Sequence, residues 1–139
     1  MKHCVVDASI ILSIFLERDK KTFSEYRRLI SLVEKRKVKL WAPDYMLFEV
    51  ANVLGYSKEE KWKIFTIWDL IRKAPIKYIG HNELNSSFFP SIALLSRKLG
   101  TSFYDTYYHY LAMIMEGTFL TRDKKYYQKA KKLGNIKCL

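Results

Sequence analysis

A short apolar run that ends on an acid most constrains what this chain can become: Cys4-Val5-Val6-Asp7-Ala8-Ser9, continued at once by Ile10-Ile11-Leu12. The residues over 3–7 read as a strand apolar enough to be covered on both faces, as parallel strands are. Ser9 is suited to cap a helix that begins on Ile10 and runs to about Glu17. A strand that turns directly into a helix leaves Asp7 at the carboxyl end of a sheet, where open α/β folds bind their ligands.

The rest of the chain repeats that alternation. After the break at Arg18-Asp19-Lys20-Lys21, a helix is predicted over 22–37, with Phe23, Tyr26, Leu29, Ile30 and Val33 at helical spacing. A strand over 38–41 follows, with Pro43 placed in the first turn of the next helix. That helix, over 44–54, carries Leu47, Val50, Ala51 and Leu54 as its buried stripe and is stopped by Gly55. Ser57 and Glu60 form a capping box for a helix over 58–73, whose inward positions are Trp62, Phe65, Trp68, Leu70 and Ile71. Then come a strand over 76–79, a polar break over 81–90, and helices over 91–99 and 103–115. A strand over 118–121, a helix over 124–132 and a last strand over 136–138 complete the order. Helices between nearly all strands imply right-handed crossovers and a mostly parallel sheet of four to five strands covered on both sides.

A length of 139 residues makes residues 1–139 a single domain, and 49% hydrophobic content is enough for an ordered core. Cys4 and Cys138 belong to no CxxC pair, which leaves a reduced, cytoplasmic protein as the expectation. No apolar stretch approaches the roughly eighteen residues of a membrane span. Lys plus Arg number 25 against 14 Asp plus Glu, a net +11. Such a field draws in polyanions, so nucleic acid, an acidic protein or an anionic surface are the partners to consider, although lysines also serve solubility alone.

Four acids recur at structurally similar places. Asp7 follows two valines, where a carboxylate is partly desolvated, and a bound metal or the capping of the first helix would compensate it. Glu49 borders the apolar stripe of its helix, with Asn52 three residues on and able to orient it; a surface position is the plainer account. Asp105 lies in a first helical turn, where the helix dipole favours an anion. Asp123 lies just past another strand. Together they gather like charges at one end of the sheet, an arrangement that makes sense with cations bound, and carboxylate oxygens suit Mg²⁺ or Mn²⁺.

Val5-Val6-Asp7-Ala8-Ser9, Glu49 within Leu47-Phe48-Glu49-Val50-Ala51-Asn52, Tyr104-Asp105-Thr106, and Leu120-Thr121-Arg122-Asp123-Lys124-Lys125 resemble, in order and spacing, the four acidic motifs of the PIN-domain ribonucleases. The likeness is nearest to the small VapC-type toxins of toxin-antitoxin pairs. It implies a three-layer α/β/α fold, an endoribonuclease dependent on Mg²⁺ or Mn²⁺, a homodimer, and an antitoxin partner whose tail blocks the acidic groove. By that resemblance Asp7, Glu49, Asp105 and Asp123 are the metal-binding and catalytic acids, and Ser9 and Thr121 the hydroxyls that support them.

On this reading metal-bound water attacks an RNA phosphodiester. Tyr107, Tyr110, Arg122, Lys124 and Lys125 are the candidates for the groove rim, contributing stacking and backbone contacts. Two rivals stand beside it. A phosphatase with an aspartyl nucleophile wants a second Asp two residues after the first, and Ser9 stands there. A non-catalytic RNA- or protein-binding module on the same fold would use only the basic surface.

Overall fold

The computed structural model describes residues 1–16 and 18–139; the end expected for the first helix, at Glu17, lies outside them. The elements are β1 (Lys2–Val6), α1 (Ala8–Phe15), α2 (Lys20–Glu34), β2 (Val38–Pro43), α3 (Met46–Tyr56), α4 (Lys61–Lys73) and β3 (Ile76–Ile79). They continue with α5 (Phe88–Leu99), α6 (Phe103–Ile114), β4 (Thr118–Thr121), α7 (Lys124–Ala130) and β5 (Ile136–Cys138), with short 3-10 turns at His81–Glu83 and Lys131–Leu133.

The five strands form one sheet in the order β3-β2-β1-β4-β5, parallel at every pairing. The chain steps outward from β1 through β2 to β3, then returns to the other side of β1 for β4 and β5. Right-handed crossovers therefore carry α1 to α4 over one face and α5 to α7 over the other, giving three α/β/α layers. The reversal lies between β1 and β4, and a crevice opens there at the strands' carboxyl ends. β1 occupies the centre: Val5 and Val6 are wholly buried, and burial of each contributes about 1.5–3 kcal/mol. None of the described helices is long and apolar enough to cross a membrane.

The order of elements is as the sequence implies, while several boundaries differ. Asp7, not Ser9, caps α1, its carboxylate accepting from the Ile10 amide. Asp19 does the same for α2, accepting from the Thr22 amide, so that helix begins two residues early. Pro43 stays in β2 as its last rung opposite Ile79; the ladder bond it cannot donate is given by the Asp44 amide to the Ile79 carbonyl, 3.0 Å. Gly55 lies inside α3, and its buried residues are Met46, Val50 and Leu54, with Ala51 exposed. The Ser57/Glu60 capping box does not form: the Ser57 hydroxyl turns back to the Leu54 carbonyl, 2.7 Å, and the Glu60 carboxylate takes the Trp62 indole N–H.

The largest departure is on α4. Ile67 and Ile71 face the core, while Trp62 and Phe65 stand 64% and 67% exposed. The helix has two apolar stripes of the same period, one aliphatic and one aromatic, and periodicity alone does not say which is inside.

Gly117, at the entry to β4, allows the closest approach of the two central strands. A Cβ there would lie 2.5 Å from the His3 carbonyl oxygen of β1. Because the obstacle is backbone, Gly117→Ala is expected to destabilise the fold by about 1–3 kcal/mol, measured as a lowered midpoint in urea unfolding with the slope unchanged.

Candidate acidic site

The carboxyl ends of β1 and β4 are stitched together by side chains. Asp7 accepts from the Ser9 hydroxyl at 2.5 Å and the Ile10 amide at 3.2 Å on one oxygen, and from the Thr121 hydroxyl at 2.6 Å on the other. Thr121 Oγ1 in turn accepts from the Asp123 amide at 3.0 Å, and Ser9 Oγ from the Arg122 amide at 3.1 Å. Asp123 itself caps α7, accepting from the Tyr126 amide at 2.9 Å. Two small hydroxyls thus fix both strand ends and hold Asp7 at 7% exposure.

Asp105 reaches the same crevice from the first turn of α6, where Ser102 caps the helix and donates its hydroxyl to the Asp105 carboxylate, 2.7 Å. Glu49 comes from α3, and the Tyr108 hydroxyl of α6 donates to it at 2.5 Å. Tyr45 stands among these groups: its hydroxyl donates to the Tyr104 carbonyl at 2.6 Å, and its ring meets Tyr104, Tyr107 and Tyr108 edge-on at 5.7, 5.0 and 5.2 Å.

The electrostatics follow from burial. Desolvation pushes the Asp7 carboxyl up to about 6, the charge of Asp105 adds to the rise, and the Ser9 and Thr121 hydroxyls and the Ile10 amide oppose it. Glu49 is raised first by burial and then by Asp105, with the Tyr108 hydroxyl opposing. Asp105 is raised by burial and by Asp123, with Ser102 opposing. Asp105 is therefore the hub through which all four acids feel one another. Each is better accommodated with a cation nearby, and the oxygen donors are those a hard divalent ion prefers. Their spacing does not close a ligand set: among the described residues no three His, Cys, Asp or Glu side chains stand close enough together to hold a metal ion.

The remaining candidates separate. Asn52 is exposed, and the partner that orients Glu49 is Tyr108, fifty-nine positions away in sequence. Tyr107 is buried at 2% exposure between Tyr45, Phe88, Phe89 and Phe103, so it is core and not rim. Tyr110 packs on Phe88 at 5.0 Å. Arg122 turns away from the crevice to the Ser13 hydroxyl and the Asp19 carboxylate. Lys124 and Lys125 are exposed, and Lys125 lines a cleft of about 170 Å³ with Ser102, Asp105, Asp123, Tyr126 and Lys129. Sequence reasoning missed Tyr45 and Tyr108, because both act through contacts between α3 and α6.

A family model described as PIN domain matches residues 3–78, which span more than half of the chain. The chain belongs to the PIN-domain family. The matched part of this PIN domain holds Asp7 and Glu49; Asp105 and Asp123 lie beyond it, on α6 and after β4. Among solved structures, VapBC2 from Rickettsia felis, bound to a DNA fragment from its promoter, is similar over 99% of this chain and 98% of that one, with TM-score 0.72 and 12% identity. PAE2754 from Pyrobaculum aerophilum aligns over 97% and 83% with TM-score 0.67 and 19% identity. VapBC-1 from nontypeable Haemophilus influenzae aligns over 98% and 97% with TM-score 0.60 and 16% identity. At such identities these structures report the shared fold of the PIN domain. No curated protein sequence matches it.

Proposed function

We propose that this PIN domain is a divalent-cation-dependent endoribonuclease and the toxin of a toxin-antitoxin pair. The observation that carries the reading is Asp7: a carboxylate at the end of the central strand, buried, pushed up to about 6 and sharing its crevice with the charge of Asp105. A buried carboxylate beside a second charge in a crevice is a common mark of a functional site. Asp7, Asp105 and Asp123, with Glu49 beside them, are the residues that would hold Mg²⁺ or Mn²⁺. Such an ion supplies a water of lowered pKa and neutralises charge on the phosphate. The chain's own residues do the positioning: Ser9 and Thr121 aim the Asp7 carboxylate, Tyr108 fixes Glu49, and Lys125 lines the entry through which an anionic backbone is drawn.

A second reading, a non-catalytic RNA- or protein-binding module, has its own observation in its favour. Each of the four carboxylates already accepts hydrogen bonds from its neighbours, and no ligand set is closed among the described residues. In either reading a protein partner is proposed, an antitoxin or a second copy in a homodimer. The exposed rings of Phe48, Tyr56, Trp62 and Phe65 on α3 and α4 give such a partner apolar surface to cover.

Cleavage of a mixed-sequence single-stranded RNA by the purified protein, with Mg²⁺, with Mn²⁺ or with EDTA, separates the readings. Products that need the metal are the expected result. RNA that is bound yet intact under every metal condition would leave the binding module standing.

A further inference from the structure

An aromatic ridge leads into the acidic crevice from the side of α5. Phe89 meets Phe103 edge-on at 5.5 Å, Phe103 meets Tyr104 at 5.9 Å, and Tyr104 meets Tyr45 at 5.7 Å. Tyr45 then touches Tyr108, the residue that holds Glu49. Phe89 and Tyr104 are the exposed rings of this cluster, at 43% and 60%, and Tyr104 is the one beside the acids. The peptide that follows it is held at both ends, the Tyr104 carbonyl accepting from the Tyr45 hydroxyl and the Asp105 amide donating to Ser102 Oγ. The result is a ring turned to solvent from a fixed stretch of backbone, one residue before Asp105.

We propose that Tyr104 is a stacking platform for one unpaired base of single-stranded RNA, whose backbone passes between this ridge and Lys125. A tyrosine ring has few rotamers to lose and offers a flat π face to any base. The chemistry of the surroundings selects the occupant. Lys125 and Lys129 line the cleft beside Asp105, and the chain carries a net +11, which complements a polyanion better than an apolar peptide. A base within a duplex has no free face to offer, so the platform discriminates between unpaired and paired RNA. The inference relies on the proposed function only for placing the phosphate near the acids; stacking itself needs neither metal nor cleavage.

The test is fluorescence anisotropy of a labelled mixed-sequence single-stranded RNA, and of the same RNA annealed as a duplex, binding the full chain in EDTA. Tyr104→Ala is expected to weaken single-strand binding by about 5- to 150-fold, the worth of one stacked base, and to leave duplex binding unchanged. Tyr104→Phe and Tyr104→Trp should bind the single strand as tightly as the parent or more so. Because the side chain is largely in solvent, circular dichroism of all three should match the parent. Tyr104→Leu keeps an apolar surface of similar size without a π face, so single-strand affinity equal to the parent's would overturn the proposal in favour of a protein-docking ridge. Equal losses on single strand and duplex would overturn it as well. The measurement is independent of turnover: an inert protein with Tyr104-dependent binding sinks only the nuclease reading, and an active one whose affinity ignores Tyr104→Ala sinks only this one.

Discussion

Asp7→Asn is expected to abolish metal-dependent cleavage and, at the same time, to make the folded protein more stable at neutral pH. The sign follows from the burial of the carboxyl. Its pKa is raised from the usual 3.8 to about 6, so across that window the folded chain keeps a proton that the unfolded chain has given up. Stability from this group is present at low pH and is lost as pH rises through about 6. The full penalty at pH 7 is about 3 kcal/mol. Asparagine removes the charge and still accepts from Ser9 and Ile10, but its amide nitrogen cannot accept from the Thr121 hydroxyl. A net gain of about 1–2 kcal/mol at pH 7, shrinking towards zero below pH 4, is expected in chemical unfolding with EDTA present. Cleavage should fall by about 10²-fold or more. Were Asp7 only a helix cap, asparagine, itself a good cap, would leave stability unchanged, and the pH dependence of the difference would be absent.

The second large effect concerns His109, which no solvent reaches. Its Nε2 lies 2.7 Å from the Gly134 carbonyl, an acceptor only, so Nε2 carries the proton and Nδ1 accepts from the Tyr126 hydroxyl at 3.0 Å. One neutral imidazole thereby binds α6 to α7 and to the turn that feeds β5. His109→Ala leaves a cavity and strands two buried partners, and a loss of about 3–5 kcal/mol is expected in denaturant unfolding. Burial lowers the pKa of this group, so the unfolded chain takes up the proton first as pH falls. Stability from His109 is therefore complete above its ordinary value of 6.5 and is lost on acidification through the depressed one. Asp7 acts in the opposite sense, its contribution growing as pH falls through about 6. Asp7→Asn removes the opposing contribution, so the variant should lose stability on acidification more steeply than the parent.

Much of this architecture is legible in the residues themselves. Valine runs, helical spacing and the punctuation at Gly100 and Gly117 specify the order of all twelve elements, and the acids at strand ends and in first turns announce one end of the sheet. What stays hidden depends on contacts distant in sequence. In 103–110 five of the eight positions are Phe or Tyr, so spacing does not separate buried Tyr107 from exposed Tyr104. On α4 an aromatic stripe competes with an aliphatic one for the interior, and the isoleucines are the ones buried. Asp7 displaces Ser9 as the cap because the Ser9 hydroxyl is already spent on the carboxylate and on the Arg122 amide. The welding of α3 to α6 by Tyr45 and Tyr108 leaves no local trace at all.

The pairing of β1 with β4 joins the earliest strand to one of the latest, with Thr121 clasping Asp7 across 114 positions. During synthesis the first half of the sheet is complete while the crevice still lacks one wall, and Asp7 waits without Thr121 or Asp123. Any chemistry that needs all four acids is thereby out of reach of the growing chain until residue 123 has been translated.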